Sequence, residues 1–114
     1  MKLREYRKLA PVHVKAGVEF LDKHQPGWRE KVNLEVLDMQ KGFYCILGQV
    51  FGSYHDGASF IERTVGRDKA IDFRIGHGFQ TPRELRWYEG REGLTTKEVT
   101  KALTILKNNW IAEF

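Results

Sequence analysis

Apolar positions along the chain fall into short runs, and one run organises the others. Gly42 to Tyr54, GFYCILGQVFGSY, holds no formal charge, and Phe43, Tyr44, Cys45, Ile46, Leu47, Val50 and Phe51 would make a helix apolar almost all round. Such a helix belongs in the middle of a core, covered by other elements. A buried strand is the competing reading, but the length of the run, with Gln49 and two glycines inside it, suits a helix better. Gly48 and Gly52 would share a face and admit a neighbouring helix, at a cost of about 1 kcal/mol of helix propensity each. The run is far short of the roughly 20 apolar residues that cross a bilayer.

The flanking segments predict further short helices. Met1 to Ala10 is a basic arm with Leu3, Tyr6 and Leu9 or Ala10 at helical spacing. Pro11 suits a first helical position, where its missing N–H costs nothing. From Val12 to His24 the pattern is amphipathic: Val14, Gly17, Val18 and Leu21 share one face, opposite Lys15, Glu19, Asp22 and Lys23. Gln25-Pro26-Gly27 stops that helix. Asn33 is placed to cap a short helix carrying Leu34, Val36, Leu37 and Met39, with Glu35 favourable at its N-terminus. Ser53 to Gly57 reads as a turn, and Ala58 to Val65 as a short helix ending at Gly66.

Two patterns compete in Ala70 to Arg91. Ile71, Phe73 and Ile75 alternate with Asp72 and Arg74, as in a strand, and Leu85 and Trp87 would supply its partner across Gly76-His77-Gly78, giving a small hairpin. Ile71 and Ile75 also stand at helical spacing. The final segment is unambiguous. Thr95 and Glu98 have capping-box spacing, and Val99, Ala102, Leu103, Leu106 and Trp110 fall on one face behind them. The expected fold is therefore mainly α, a small helical bundle around a central apolar helix, with a possible hairpin at 70–90.

Composition supports a single domain over residues 1–114, with residues 1–10 as its basic arm. Hydrophobic residues make up 41% of the chain, enough for one core and too many for wholesale disorder. The formal net charge is +4, and it is unevenly placed. Residues 1–31 carry eight Lys/Arg against four Asp/Glu, whereas residues 32–66 carry two against four. The basic first third is either a solvated surface or an electrostatic footprint for nucleic acid. One cysteine allows no internal disulfide, and no apolar run follows the N-terminal basic residues, so a cytoplasmic protein without a secretory signal is expected.

Candidate chemistry is sparse. His13, His24, His55, His77 and Cys45 lack the CxxC, HxxxH or HExxH spacing of a metal site. Cys45 lies among apolar neighbours, which suits a small buried hydrophobe better than a thiol nucleophile. His55-Asp56 is turn chemistry before it is a proton-transfer pair. Gly76-His77-Gly78 matches no phosphate-cradling pattern. The expectation is a non-catalytic protein with no metal and no cofactor, a small hydrolase being the weakest class.

Two binding classes remain. Arg83, Arg86, Trp87 and Tyr88 form an aromatic and arginine-rich cluster of the type found in protein–protein hot spots, although Trp87 is equally suited to core packing. Lys2, Arg4, Arg7, Lys8 and Lys15 would meet the phosphates of a nucleic acid, with Tyr6 available to stack on a base. A protein partner is the favoured class, weak nucleic-acid binding the alternative, and no membrane partner is expected.

GVEFLDKHQPGWREKVNLEVLDM (Gly17 to Met39), CILGQVFGSYHDG (Cys45 to Gly57) and HGF (His77 to Phe79) together cover over a third of the chain. Through these elements, LD-x-x-x-PGW and C-[IV]-L-G-Q-x-[FY]-G above all, the chain resembles a group of small actinobacteriophage proteins with no assigned activity. The resemblance implies a phage accessory protein working in a bacterial cytoplasm. Related chains often carry a second cysteine shortly before Cys45. Phe43 and Tyr44 stand in that neighbourhood here, which weakens any metal or redox role.

Overall fold

In the computed structural model the described residues are 2–80, 84 and 94–114. They form five α-helices and one 3-10 turn, with no strand among them. Helix α1 spans Leu3–His24, α2 Ile46–Phe51, α3 Tyr54–Val65, α4 Ala70–Gly76 and α5 Thr96–Ile111; the 3-10 turn is Trp28–Lys31. Helices α1 and α5 pack together, α2 packs on α3, α3 on α4, and α4 closes the arrangement against α1.

The basic arm is not separate. Helix α1 runs unbroken through Pro11, where the sequence suggested a new start. An interior proline loses one backbone hydrogen bond and crowds the preceding turn, costing about 3 kcal/mol or more. What offsets that cost is burial on both sides of it: Tyr6 and Ala10 before, Val14, Val18 and Leu21 after, each at most 9% exposed. Pro11 itself lies on the exposed side. The helix ends as expected, with Gly27 at φ +84° turning Trp28 back into the core. The Trp28 indole N–H donates to Asp22 at 2.8 Å, and its ring meets Trp110 and Phe114 edge-on.

Helix α5 matches the sequence reading closely. Thr95 Oγ1 accepts from the Glu98 N–H, the Glu98 carboxylate accepts from the Thr95 N–H, and the apolar stripe from Val99 to Trp110 is buried. Gly17 lets α1 pack tightly on α5 and on the backbone of His77, since a Cβ there would lie 2.8 Å from the Trp110 ring and closer still to the His77 carbonyl. The Trp110 N–H donates to the Gly78 carbonyl at 2.9 Å, tying the segment after α4 into the same core.

The central stretch is half of what its composition suggests. Only Ile46–Phe51 is helical, with Ile46, Leu47 and Val50 buried, while Phe43 is 69% exposed and Tyr44 46%. Residues 41–45 close instead as turns, with the Tyr44 and Cys45 N–H groups both donating to the Lys41 carbonyl. Gly48 does admit a close neighbour, but that neighbour is the carbonyl of Gly42 rather than another helix. Gly52, at φ +97°, ends α2. The glycine at the α2–α3 contact is Gly57, where a Cβ would stand 2.9 Å from that of Leu47.

Three further expectations need correction. The Asn33-capped helix is absent: Asn33 Oδ1 accepts from the Glu35 N–H at 3.0 Å and makes a local turn, and Leu37 and Met39 are buried while Val36 is exposed. The expected turn at Ser53 to Gly57 is instead the start of α3: Ser53 Oγ accepts from the Asp56 N–H as the cap, and the helix runs from Tyr54. Ala70–Gly76 is helix α4, with Ala70 and Ile75 buried and Ile71 turned outward at 55% exposure, so the first strand of the hairpin does not exist. Its proposed second strand lies outside the described residues.

Candidate functional site

The segment between the 3-10 turn and α2, residues 32–45, has no regular structure of its own, yet one side chain fixes both its ends. Gln49, on α2, accepts the Asn33 N–H on Oε1 at 2.6 Å. Its Nε2 donates to the Asn33 carbonyl at 3.3 Å and to the Tyr44 carbonyl at 2.9 Å. Asp38 closes the inner part, its N–H donating to Tyr44 and its carboxylate accepting from Gln40. Leu37 and Met39 anchor the loop in the core. Val36, Phe43 and Tyr44 are left outward on a backbone that is hydrogen-bonded at both ends. Val36 and Tyr44, with Asp38 and Lys41, line a shallow depression of about 300 Å³.

Behind the loop lies a smaller cavity of about 220 Å³ whose walls include Met39, Cys45, Tyr54, Phe79 and Gln80. Cys45 is 6% exposed and caps α2, its sulfur accepting from the Gly48 N–H at 3.3 Å. Burial pushes its thiol above the usual range, which keeps it protonated and unreactive; the buried-hydrophobe reading fits. Gln80 is 1% exposed and meets the Tyr6 hydroxyl at 2.6 Å.

Beside this cavity Glu84 takes two hydrogen bonds from Arg74, at 2.7 and 3.2 Å, and one from the Tyr54 hydroxyl at 3.2 Å. Both charged side chains are nearly nine-tenths buried. Burial, and then the Glu84 charge, push the Tyr54 hydroxyl well above the usual phenol range, so the hydroxyl stays a donor. This is an internal tie between α3, α4 and Glu84.

Histidines gather around Phe20. His77 stacks on Phe73 at 3.6 Å and its Nδ1–H donates to the Phe73 carbonyl at 2.7 Å. His24 and Phe60 pack on the same Phe20 ring. Burial lowers the pKa of both His13 and His77, with the charge of His77 a second cause for His13. Among the described residues no three His, Cys, Asp or Glu side chains stand together as a metal site. No helix among them is long and apolar enough to cross a membrane.

The residues singled out from the sequence have different fates. Arg83, Arg86, Trp87 and Tyr88 lie outside the described residues. Lys2, Arg4, Arg7, Lys8 and Lys15 are all exposed on α1 or at its start. Tyr6 is not: it is 1% exposed, its burial raises its hydroxyl pKa, and it cannot stack on a base. It occupies the α1 stripe that faces the core, where helical spacing had already put it beside Leu3 and Ala10. Phe43 and Tyr44, read as core, are instead the outward aromatic pair. Gln49, the residue that positions them, carried no sequence signal beyond being polar inside an apolar run. Comparison with known proteins finds no matching family, no similar curated protein and no similar solved structure.

Proposed function

We propose that the chain is a non-catalytic, phage-type accessory protein that binds a host or phage protein through the loop 32–45. The observation that carries this reading is the exposure of Phe43 and Tyr44 on a loop fixed by Gln49. Exposed aromatics are strong anchors at protein interfaces. A loop ordered before binding also spares the partner complex part of the entropy that docking otherwise costs. Val36 extends the apolar centre, and Asp38 and Lys41 supply the polar edge such interfaces have. Its compartment in this reading is the bacterial cytoplasm, on the strength of the single cysteine and the sequence resemblance.

The test is capture from nuclease-treated bacterial host lysate by immobilised protein, parent against Phe43→Ala/Tyr44→Ala. A defined partner that survives nuclease and is lost with the double substitution supports the reading. A partner kept by the folded double variant contradicts it.

A further inference from the structure

Arg29, Arg67 and Arg74 each meet a carboxylate, of Asp22, Glu62 and Glu84 respectively. The cations at the start of α1 do not. Lys2, Arg4, Arg7, Lys8 and Lys15 are exposed, and none of them forms an ion pair among the described residues. At about 100° per residue, Arg4, Arg7, Lys8 and Lys15 fall within one arc of roughly 100°, over a rise of roughly 16 Å. Glu5 projects to another side of the helix. Glu19, exposed one turn past Lys15, stands about 20° beyond the arc's edge, and Asp22 on the arc itself is already engaged by Trp28 and Arg29. The unbroken passage through Pro11 makes this a continuous helical row rather than a loose arm.

We infer that this face of α1 docks on the phosphate backbone of duplex nucleic acid, without reading sequence. A row of unpaired cations selects a polyanion, and duplex DNA offers one negative charge per about 1.7 Å of its axis. Two other polyanionic surfaces fit less well. A helix lying on anionic lipid must put its apolar face into the headgroup boundary, but here Tyr6, Ala10 and Val14 are sealed in the core. Single-strand binding draws on base–aromatic stacking, and the one aromatic of this segment is the buried Tyr6. Phosphate contact alone remains, and the continuous helix keeps the four cations in one row to meet it. The row shares no residue with the Phe43–Tyr44 loop, so the inference goes beyond the protein-partner reading and does not depend on it.

Fluorescence anisotropy of a labelled duplex of about 20 base pairs, titrated with the whole chain at about 50 and 200 mM salt, tests this. Four phosphate contacts give a log–log salt slope near −3.6, a weakening of roughly 150-fold between those two salts. Arg4→Gln/Arg7→Gln/Lys8→Gln/Lys15→Gln should abolish most of the binding. Each half of that set, Arg4→Gln/Arg7→Gln or Lys8→Gln/Lys15→Gln, should flatten the slope by about half, which keeps the test open if the fourfold variant folds poorly. A control of equal charge, Lys23→Gln/Lys31→Gln/Lys97→Gln/Lys101→Gln, should weaken binding only a few-fold, and Phe43→Ala/Tyr44→Ala should leave it unchanged. A second duplex of unrelated sequence should bind equally. Absence of binding at low salt overturns the inference, as does a control that weakens binding as much as the arm variants do. So does tighter binding to a single strand, or to phosphatidylserine vesicles, than to the duplex.

Discussion

Helix α5 and the segment from Val32 to Phe51 both bury large apolar side chains, but they arrive at their shapes by different routes. Helix α5 is specified locally. Its capping box lies within four residues, and its buried positions recur every three or four. The other segment is specified at a distance: Gln49 holds Asn33, sixteen residues earlier, and Tyr44. Local specification yields an element that is apolar on one side and polar on the other. Specification by one distant polar side chain yields a loop whose apolar residues need not all point inward. The second arrangement leaves aromatic groups available for a partner.

The largest effect should come from the α5 side. Trp110→Ala removes a fully buried ring and leaves the Gly78 carbonyl unpaired, a loss of about 3–5 kcal/mol. Chemical denaturation measures it, and a loss below about 1 kcal/mol would mean that the α1–α5 core is not the principal one. Leu47→Ala, 1% exposed on α2, should cost about 2–5 kcal/mol by the same reasoning. The two together show whether the buried half of the central stretch matters as much as α5.

The third prediction separates the regions. Gln49→Ala removes three hydrogen bonds at a half-buried position and should cost about 1–3 kcal/mol. Hydrogen exchange should quicken at amides between Asn33 and Cys45 while those of α5 keep their protection. Equal quickening in α5 would show that the loop has no independent tie. Thr95→Ala is the counterpart on α5, with an expected loss of about 1 kcal/mol. Its effect should be confined to the first turn of that helix.

The same contrast explains what could be read from the sequence. The C-terminal helix, the Gln25-Pro26-Gly27 stop, the end of α3 at Gly66 and the burial of Cys45 all rest on neighbouring residues, and all were legible. Pro11 misled because its local signal is overridden by burial on both sides of it. Asn33 misled because its side chain serves a turn as readily as a cap. Ile71, Phe73 and Ile75 satisfied two periodicities, and which one held depended on packing against α1 and α3. Phe43 and Tyr44 could not be placed outside the core from composition, since an irregular loop has no period to assign its faces. The tie of Arg74 and Tyr54 to Glu84 joins residues far apart in the chain, with nothing in their spacing to announce it.

The smallest effect bears most directly on the central claim, that Phe43 and Tyr44 lie outside the fold although they begin its most apolar stretch. Thermal unfolding of Phe43→Ala/Tyr44→Ala, set beside Leu47→Ala, measures this. Exposed substitutions clear of special features change stability by about 0.5 kcal/mol or less each, so the double variant should melt within a few degrees of the parent. The Leu47 variant should melt on the order of 10 °C lower. If the double variant falls as far as the Leu47 variant, the two aromatics are core residues, and the loop presents no such surface to a partner.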